Sequence, residues 1–390
     1  MGTFFTASQA SLAVNLTLLE VGLLFIGLGL LSWLALKLHV SSIPLFLLAG
    51  LALGKGGIVP LDVSEDFLNV GAEIGAILLL LVLGFEYSAS ELAASMKKRW
   101  HAGLMDILLN AVPAAILALI LGYGPVGALA FAGIMFISSS GIASQLIRET
   151  GWGKSNVAKR VTSVLVFEDI LMAPYLPILA AVTLGLSVWA GLISVTVALV
   201  VTMSIFLIAI GREIPGLKPL AKRGPGVLLL LVFGVTLAAA GAATLAGFSG
   251  AIAAFLIGML LTGEVAESLR SRFAPLREIF SAIFFLFFGL SISVMDVVSV
   301  LPVAIAFSVL GIAGKLAVGW WVGRDMSDRM SWRRIGAFLV ARGEFSMIIA
   351  ATVVANTAFA GLKEITLGVV VLTTLFSTLA IRYLRSHLER

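Results

Sequence analysis

Two adjacent carboxylates, Glu168 and Asp169, lie in the middle of the apolar stretch Val161–Pro177. A carboxylate at the centre of a membrane helix costs about 2.5–3.5 kcal/mol on insertion scales, so a pair at this depth is expected to do chemistry. Consecutive residues of a helix point about 100° apart, and the two carboxylates therefore cannot face one partner. We take them as a candidate site for a cation and a proton.

Lys315 is the one lysine that the sequence places inside an apolar span, where its ammonium group needs a counter-charge. We predict that it pairs with Glu168, which leaves Asp169 to exchange a proton for a cation. In the alternative interpretation, the Glu168–Lys315 pair is a structural salt bridge and Asp169 lies in a polar vestibule.

Two other spans place glycine beside polar residues, in Phe136–Ser144 and in Phe338–Ser346. A helix that breaks at such a cluster offers backbone groups and half-helix ends to a cation, provided that the break lines a cavity. The candidate cation ligands of the first cluster are the hydroxyl groups of Ser138, Ser139 and Ser140. In the second cluster, Arg342 and Glu344 are candidates for charge compensation. Alternatively, the serines serve plain helix packing, and Arg342 and Glu344 form an ion pair without a transport role.

Four further acidic residues fall within apolar spans, and we predict that they lie outside the ion site. They are Glu20, Glu73, Glu86 and Asp106. For Asp106 and Glu86 we expect positions near the inner interface of the membrane.

The composition is that of a polytopic membrane protein, because 60% of the 390 residues are hydrophobic and 12% are charged. The net charge of +5 does not indicate a nucleic-acid partner, since the basic residues lie in short loops between apolar spans. There is no cysteine, and the three histidines lie far apart at span ends. We therefore expect no cofactor and no histidine metal site.

With about 20 apolar residues for one crossing, and fewer where glycine or proline interrupts, the sequence predicts thirteen membrane-spanning helices. They cover residues 12–36, 42–54, 67–87, 102–121, 126–147, 161–184, 187–210, 226–244, 248–263, 279–295, 299–322, 335–358 and 365–384. If the N-terminus lies outside, Lys55 and Lys363 are the only basic side chains in outer loops, while Lys315 and Arg342 fall within spans. This bias predicts a cytoplasmic C-terminus in the inner (plasma) membrane.

Two segments in the first half of the chain are similar in sequence to two segments in the second half. Phe46–Gly54 is similar to Phe255–Gly263 at a shift of 209 residues, and Ile77–Ser88 is similar to Ile283–Ser293, with Gly84 against Gly289 at a shift of 205. The matching spans are seven apart, and this odd displacement means that the two copies cross the membrane in opposite directions. We predict an inverted repeat of spans 1–6 and 8–13, which is typical of secondary transporters with a site near the midplane.

In these motifs the chain resembles the cation:proton antiporter-two family, the branch of the sodium/hydrogen exchanger superfamily that includes Kef-type and Kht-type potassium/proton antiporters. The resemblance covers nearly the whole chain. It is carried by the order and spacing of Ile137–Gly141, Val166–Ile170, Pro275–Phe280 with Phe284–Gly289, and Ala341–Ser346. It implies an all-α membrane protein with two crossing discontinuous helices, and a homodimer in which a core moves against a dimerisation region. It also implies that Asp169 holds cation and proton in turn.

Two residues differ from the pattern of particular branches. Glu168 stands where Kef-type members have glutamine and many electrogenic sodium exchangers have aspartate, whereas Lys315 matches a lysine of the electrogenic relatives. The resemblance therefore fixes neither the cation nor the stoichiometry. We expect a single transmembrane domain over residues 1–390 without the nucleotide-sensing domain of Kef-type chains. A separate cytosolic regulatory subunit, or a truncated chain, would each fit that expectation.

The leading functional prediction is a potassium/proton antiporter, with sodium/proton exchange as the alternative. A sodium-coupled symporter of organic solutes on a similar fold would instead have a larger polar cavity. An intramembrane enzyme is not favoured, because no histidine lies in the middle of a span to act as a base.

Overall fold

The computed structural model describes residues 2–38, 40–54, 57, 65–85, 100–183, 217–245, 250–261, 263–328, 330–356 and 361–386, together with five single positions between 189 and 204. Every regular element in these ranges is helical. The helices are α1 (Gly2–Leu38), α2 (Ser42–Leu53), α3 (Glu65–Gly84), α4 (Trp100–Ile120), α5 (Gly124–Phe136), α6 (Ser140–Thr150), α7 (Asn156–Thr183), α8 (Leu217–Arg223), α9 (Pro225–Leu245), α10 (Gly250–Leu260), α11 (Gly263–Leu290), α12 (Val294–Gly323), α13 (Ser331–Val340), α14 (Glu344–Asn356) and α15 (Leu362–Ser386).

Within the described ranges, nine helical segments are long and apolar enough to cross a membrane. Three shorter apolar helices, Ser42–Leu53, Val70–Val82 and Gly250–Leu260, coincide with the predicted second, third and ninth spans. The predicted seventh span, 187–210, lies outside the described residues apart from the single positions, as does Glu86. The structure confirms an all-helical membrane protein, and the count of thirteen spans stays a prediction.

Helix α11 begins at Gly263, well before the predicted span 279–295. Its first half is charged, and hydropathy therefore assigned it to a loop. However, Val265, Leu269 and Phe273 recur every four residues and are buried, which makes this half an amphipathic helix with one face against the protein.

Glycines let two pairs of helices approach closely. A Cβ at Gly50 of α2 would overlap the Leu286 carbonyl oxygen of α11, and Gly289 lies at the same crossing. At the second crossing, between α3 and α10, Gly84 faces Gly258 in the same way. Small residues at such crossings allow the close packing on which helix association in lipid depends.

Two membrane helices are interrupted. The chain leaves the helical conformation at residues 137–139, between α5 and α6, and again at 341–343, between α13 and α14. The two breaks lie against each other, because the Ser139 amide donates to the Ala341 carbonyl oxygen at 2.8 Å and the Ser138 hydroxyl donates to that of Leu339 at 2.7 Å. Each break thus satisfies backbone groups of the other, and the exposed peptide groups are kept away from lipid.

Candidate ion-binding site

Lys315 of α12 is fully buried and forms a cluster with two carboxylates. Its Nζ atom lies 2.8 Å from each carboxylate oxygen of Asp106 on α4 and 2.9 Å from Oε1 of Glu168 on α7. It also donates to the carbonyl oxygen of Phe136, the last residue of α5, at 2.7 Å. The predicted contact between Lys315 and Glu168 is present, and it is one part of a larger cluster.

The prediction that Asp106 lies apart from the candidate site residues is wrong, because its side chain is fully buried and forms an ion pair with Lys315, which also binds Glu168. Its position relative to the inner interface stays a prediction. Its Oδ1 atom also accepts a hydrogen bond from Asn110 Nδ2 at 2.7 Å. A π-helical turn over Ile107–Ala111 follows Asp106, and Gly314 of α12 leaves room for that turn. The available signal was the spacing of Asp106 and Asn110, four residues apart on one face of an apolar helix.

Glu168 connects α7 to the first helix break. Its Oε2 atom accepts a hydrogen bond from the Ser138 amide at 2.5 Å, and its Oε1 atom lies 3.1 Å from the Ser138 hydroxyl. The break removes the helical partner of this amide, so the carboxylate supplies one. Glu168 is therefore fixed between Ser138 and Lys315.

Asp169, the next residue of α7, is 2% exposed and so is enclosed by protein rather than turned to lipid. The carboxylates that form ion pairs with Lys315 are those of Asp106 and Glu168. This division agrees with the different directions of adjacent side chains on a helix. The role of Asp169 in ion exchange stays a prediction.

A cavity of about 320 Å³ lies where the second halves of the two broken helices begin. Ser140 at the start of α6 and Glu344 at the start of α14 line it, and the Ser139 hydroxyl donates to Glu344 Oε2 at 3.0 Å. Arg270 and Arg277 of α11 supply further charge to the wall. Because helix N-termini carry partial positive charge, the start of α14 stabilises the carboxylate of Glu344.

Arg342 lies in the second break, and its guanidinium group is fully buried. It donates to the carbonyl oxygens of Met135, Leu339 and Val340, which end α5 and α13. Since helix C-termini carry partial negative charge, Arg342 compensates the ends of these two half-helices. It forms no salt bridge with Glu344 within the described part of the chain, so the alternative of an Arg342–Glu344 ion pair is wrong.

Hydroxyl groups of α15 hold the second break in place, and the sequence prediction did not include them. The Arg342 amide donates to Thr373 Oγ1 at 3.2 Å, and the Thr374 hydroxyl donates to the Arg342 carbonyl oxygen at 3.1 Å. One turn further on, the Ser377 hydroxyl donates to the Ala337 carbonyl oxygen at 2.7 Å. The signal in the sequence was the recurrence of hydroxyl residues on one face of the last apolar helix.

Comparison with known sequences gives matches over most of the chain. The family described as "Sodium/hydrogen exchanger, transmembrane" matches residues 21–384. KhtU of Bacillus subtilis, a K(+)/H(+) antiporter subunit, is 30% identical over 357 residues, which are 88% of this chain and 87% of that protein. The glutathione-regulated potassium-efflux system protein KefC of Salmonella paratyphi B is 28% identical over 81% of this chain and 52% of its own length.

A solved structure has the same fold. The sodium proton antiporter MjNhaP1 of Methanocaldococcus jannaschii matches with a TM-score of 0.63 at 19% identity, over 94% of this chain and 96% of that one. At this level of identity, the likeness shows the fold alone.

Proposed function

The chain belongs to the sodium/hydrogen exchanger family, in its branch of Kef- and Kht-like monovalent cation:proton antiporters, and we propose that it exchanges K⁺ for protons by alternating access. In this proposal the cation and the proton compete for Asp169. The names of the two relatives, which refer to K⁺/H⁺ exchange and to potassium efflux, support K⁺ as the cation. Sodium/proton exchange is the alternative, and the buried Lys315 favours it, because the resemblance associates this lysine with electrogenic sodium exchangers.

The observation that carries the proposal is the division of the two adjacent carboxylates. Glu168 is bound to Lys315 and Ser138, and Asp169 is the next residue of α7, 2% exposed and on a different side of the helix. Burying a carboxylate in a medium of low polarity is costly, and either a cation or a proton offsets that cost. We assign Asp169 to alternating neutralisation by a cation and by a proton.

The cavity beside Glu344 supports a route for the cation. It is lined by Ser140 and Glu344, and the Ser139 hydroxyl binds Glu344 next to it. We assign the hydroxyl oxygens of Ser138, Ser139 and Ser140 and the carbonyl oxygens of the break as replacements for water around the entering ion. The residues that line the cavity do not include Asp169, so transport in this proposal requires a movement that opens Asp169 to it.

The reciprocal glycine crossings support an inverted repeat as the basis of that movement. Gly50 of α2 meets Gly289 of α11, while Gly258 of α10 meets Gly84 of α3. The internal sequence similarity relates α2 to α10 and α3 to α11. A two-fold axis in the membrane plane that exchanges these helices would turn the contact of α2 with α11 into the contact of α10 with α3. A homodimer and a separate cytosolic regulatory subunit complete the proposal, and the naming of KhtU as an antiporter subunit supports a partner chain.

The test is Asp169→Asn in proteoliposomes that contain a pH-sensitive dye. Pulses of K⁺ or Na⁺ should move protons in the wild type, and the variant should lose this response because asparagine cannot hold a proton. The matched control is Asp296→Asn, which changes an exposed aspartate at the start of α12 and should retain exchange. Normal exchange by Asp169→Asn would exclude Asp169 from the mechanism.

A panel of cations decides selectivity in the same vesicles. K⁺ should give the largest proton response, and a larger response to Na⁺ would favour the alternative. Uptake of Na⁺ that depends on an organic solute would instead indicate a symporter. Clamping the membrane potential then distinguishes electroneutral from electrogenic exchange.

A further inference from the structure

A second cavity lies away from the ion site, where the C-terminal ends of α1, α6 and α15 come together. Its volume is about 450 Å³. Four charged residues line it, Lys37, Glu149, Arg382 and Arg385. Three cations therefore share this cavity with one carboxylate, and it is a basic site.

The single carboxylate is held by its own helix. Glu149 Oε1 accepts a hydrogen bond from Gln145 Nε2 at 2.8 Å, and Gln145 also lies 3.4 Å from the Val40 carbonyl oxygen. Arg385 reaches this wall as well, because its Nη1 donates to the main-chain carbonyl oxygen of Glu149 at 3.2 Å. Part of the negative charge is thus already engaged, and the three helix ends are joined around the cavity.

The surroundings of the cavity are those of a membrane surface. Trp33 on α1 and Tyr383 on α15 are 59% and 63% exposed, and these residue types are typical of the boundary between headgroups and acyl chains. Lys37 Nζ lies 5.4 Å from the centre of the Trp33 ring. Leu36 and Leu379 beside them are also exposed, which gives both helices an apolar flank next to the charged groups. All of these residues are at the end of the helices that the charge bias places inside.

We propose that this cavity binds the phosphate diester of an anionic phospholipid, with Lys37, Arg382 and Arg385 around the headgroup. Arginine presents a planar fork of donors that suits phosphate oxygens, and basic pockets between helices on the cytoplasmic side bind anionic headgroups. The acyl chains lie along the exposed apolar flanks of α1 and α15. Because these apolar flanks adjoin the cavity, a lipid can place its headgroup among the three cations while its acyl chains stay in the bilayer, which is why the assignment is to a lipid.

The test measures lipid binding to the whole purified chain by native mass spectrometry, with phosphatidylglycerol and phosphatidylcholine as probes. The wild type should retain phosphatidylglycerol in preference to phosphatidylcholine. The double variant Arg382→Gln with Arg385→Gln should weaken phosphatidylglycerol binding about thirty-fold, on the basis of about fivefold for each basic residue near a lipid surface. Lysine at both positions should keep most of the binding, because the charge remains.

The matched control is Arg223→Gln with Arg333→Gln, which removes two exposed cations from the same predicted side but outside the cavity. It should bind phosphatidylglycerol as the wild type does. Equal loss in the two double variants, or no loss in the first, would overturn the site. Binding of glycerol phosphate as tight as that of phosphatidylglycerol would overturn the lipid as its ligand.

Discussion

Lys315 lies 2.8 Å from both carboxylate oxygens of Asp106, a residue 209 positions earlier in the chain. The same ammonium lies 2.9 Å from Glu168, and none of the three side chains is exposed. When all three are ionised, the cluster carries one more negative than positive charge. Its stability therefore depends on Lys315 more than on either carboxylate.

Replacing Lys315 by methionine should destabilise the protein strongly, because two buried carboxylates would face each other without a cation. Breaking a buried ion pair in this way typically costs about 3–5 kcal/mol. The unfolding temperature of the detergent-purified protein measures the loss.

Lys154→Met provides the control for this substitution, because Lys154 is exposed between α6 and α7. An exposed change of this kind is usually worth within about 0.5 kcal/mol. If the two methionine variants unfolded at the same temperature, the contacts of Lys315 would not contribute to the stability of the protein.

The sequence predicted the parts of the site whose polarity is unusual for their surroundings. Lys315 stands out as a single charge in an apolar run, Glu168 stands out as one of two adjacent charges in another, and the two breaks stand out because glycine adjoins polar residues. In these cases the cost of burial makes the residue type itself informative. The prediction of their contact needed only charge balance.

Asp106 could not be placed in the same way. Its contact with Lys315 depends on where α4 starts, on the π-helical turn after it and on the close approach of α12 at Gly314, and all three are set by tertiary packing. The hydroxyl groups on α15 were missed for a related reason. Threonine and serine are close to neutral in hydropathy, so that only the position of the partner helix shows which of them bind its backbone.

Gly258→Ala should disturb the crossing of α3 and α10, where a Cβ would overlap the Leu81 carbonyl oxygen. Forcing extra volume into a packed contact typically costs about 1–3 kcal/mol. Gly234→Ala in the middle of α9 is the matched control, since no atom lies within 4 Å of a Cβ placed there. It should stabilise its helix by about 0.5–1 kcal/mol, because alanine is the better helix former. If Gly258→Ala and Gly234→Ala shifted the unfolding temperature in the same direction, the close crossing of α3 and α10 would be contradicted.

Asp328 makes one connection between α12 and α13 sensitive to pH. Its carboxylate accepts a hydrogen bond from the Met330 amide at 2.9 Å and lies 2.6 Å from Arg334, and these contacts hold the pKa of Asp328 below its usual value. Its contribution to stability is therefore present above the usual value of about 3.9 and is lost as the pH falls through the lowered one. Asp328→Asn should lower the unfolding temperature at neutral pH and make no difference in strong acid. A constant difference at every pH would contradict this account.

Arg342→Lys distinguishes the two interpretations of the second break. If Arg342 only supplied a positive charge, lysine would replace it with little effect. The structure instead shows one guanidinium group that donates to three carbonyl oxygens at the ends of α5 and α13. A single ammonium at the end of a flexible chain cannot reproduce this planar fork, and each buried carbonyl left without a donor costs about 1–3 kcal/mol. We therefore expect a clear fall in unfolding temperature. Arg333→Lys, at an exposed position on α13, should leave it unchanged, and equal temperatures for the two variants would show that charge alone is required at Arg342.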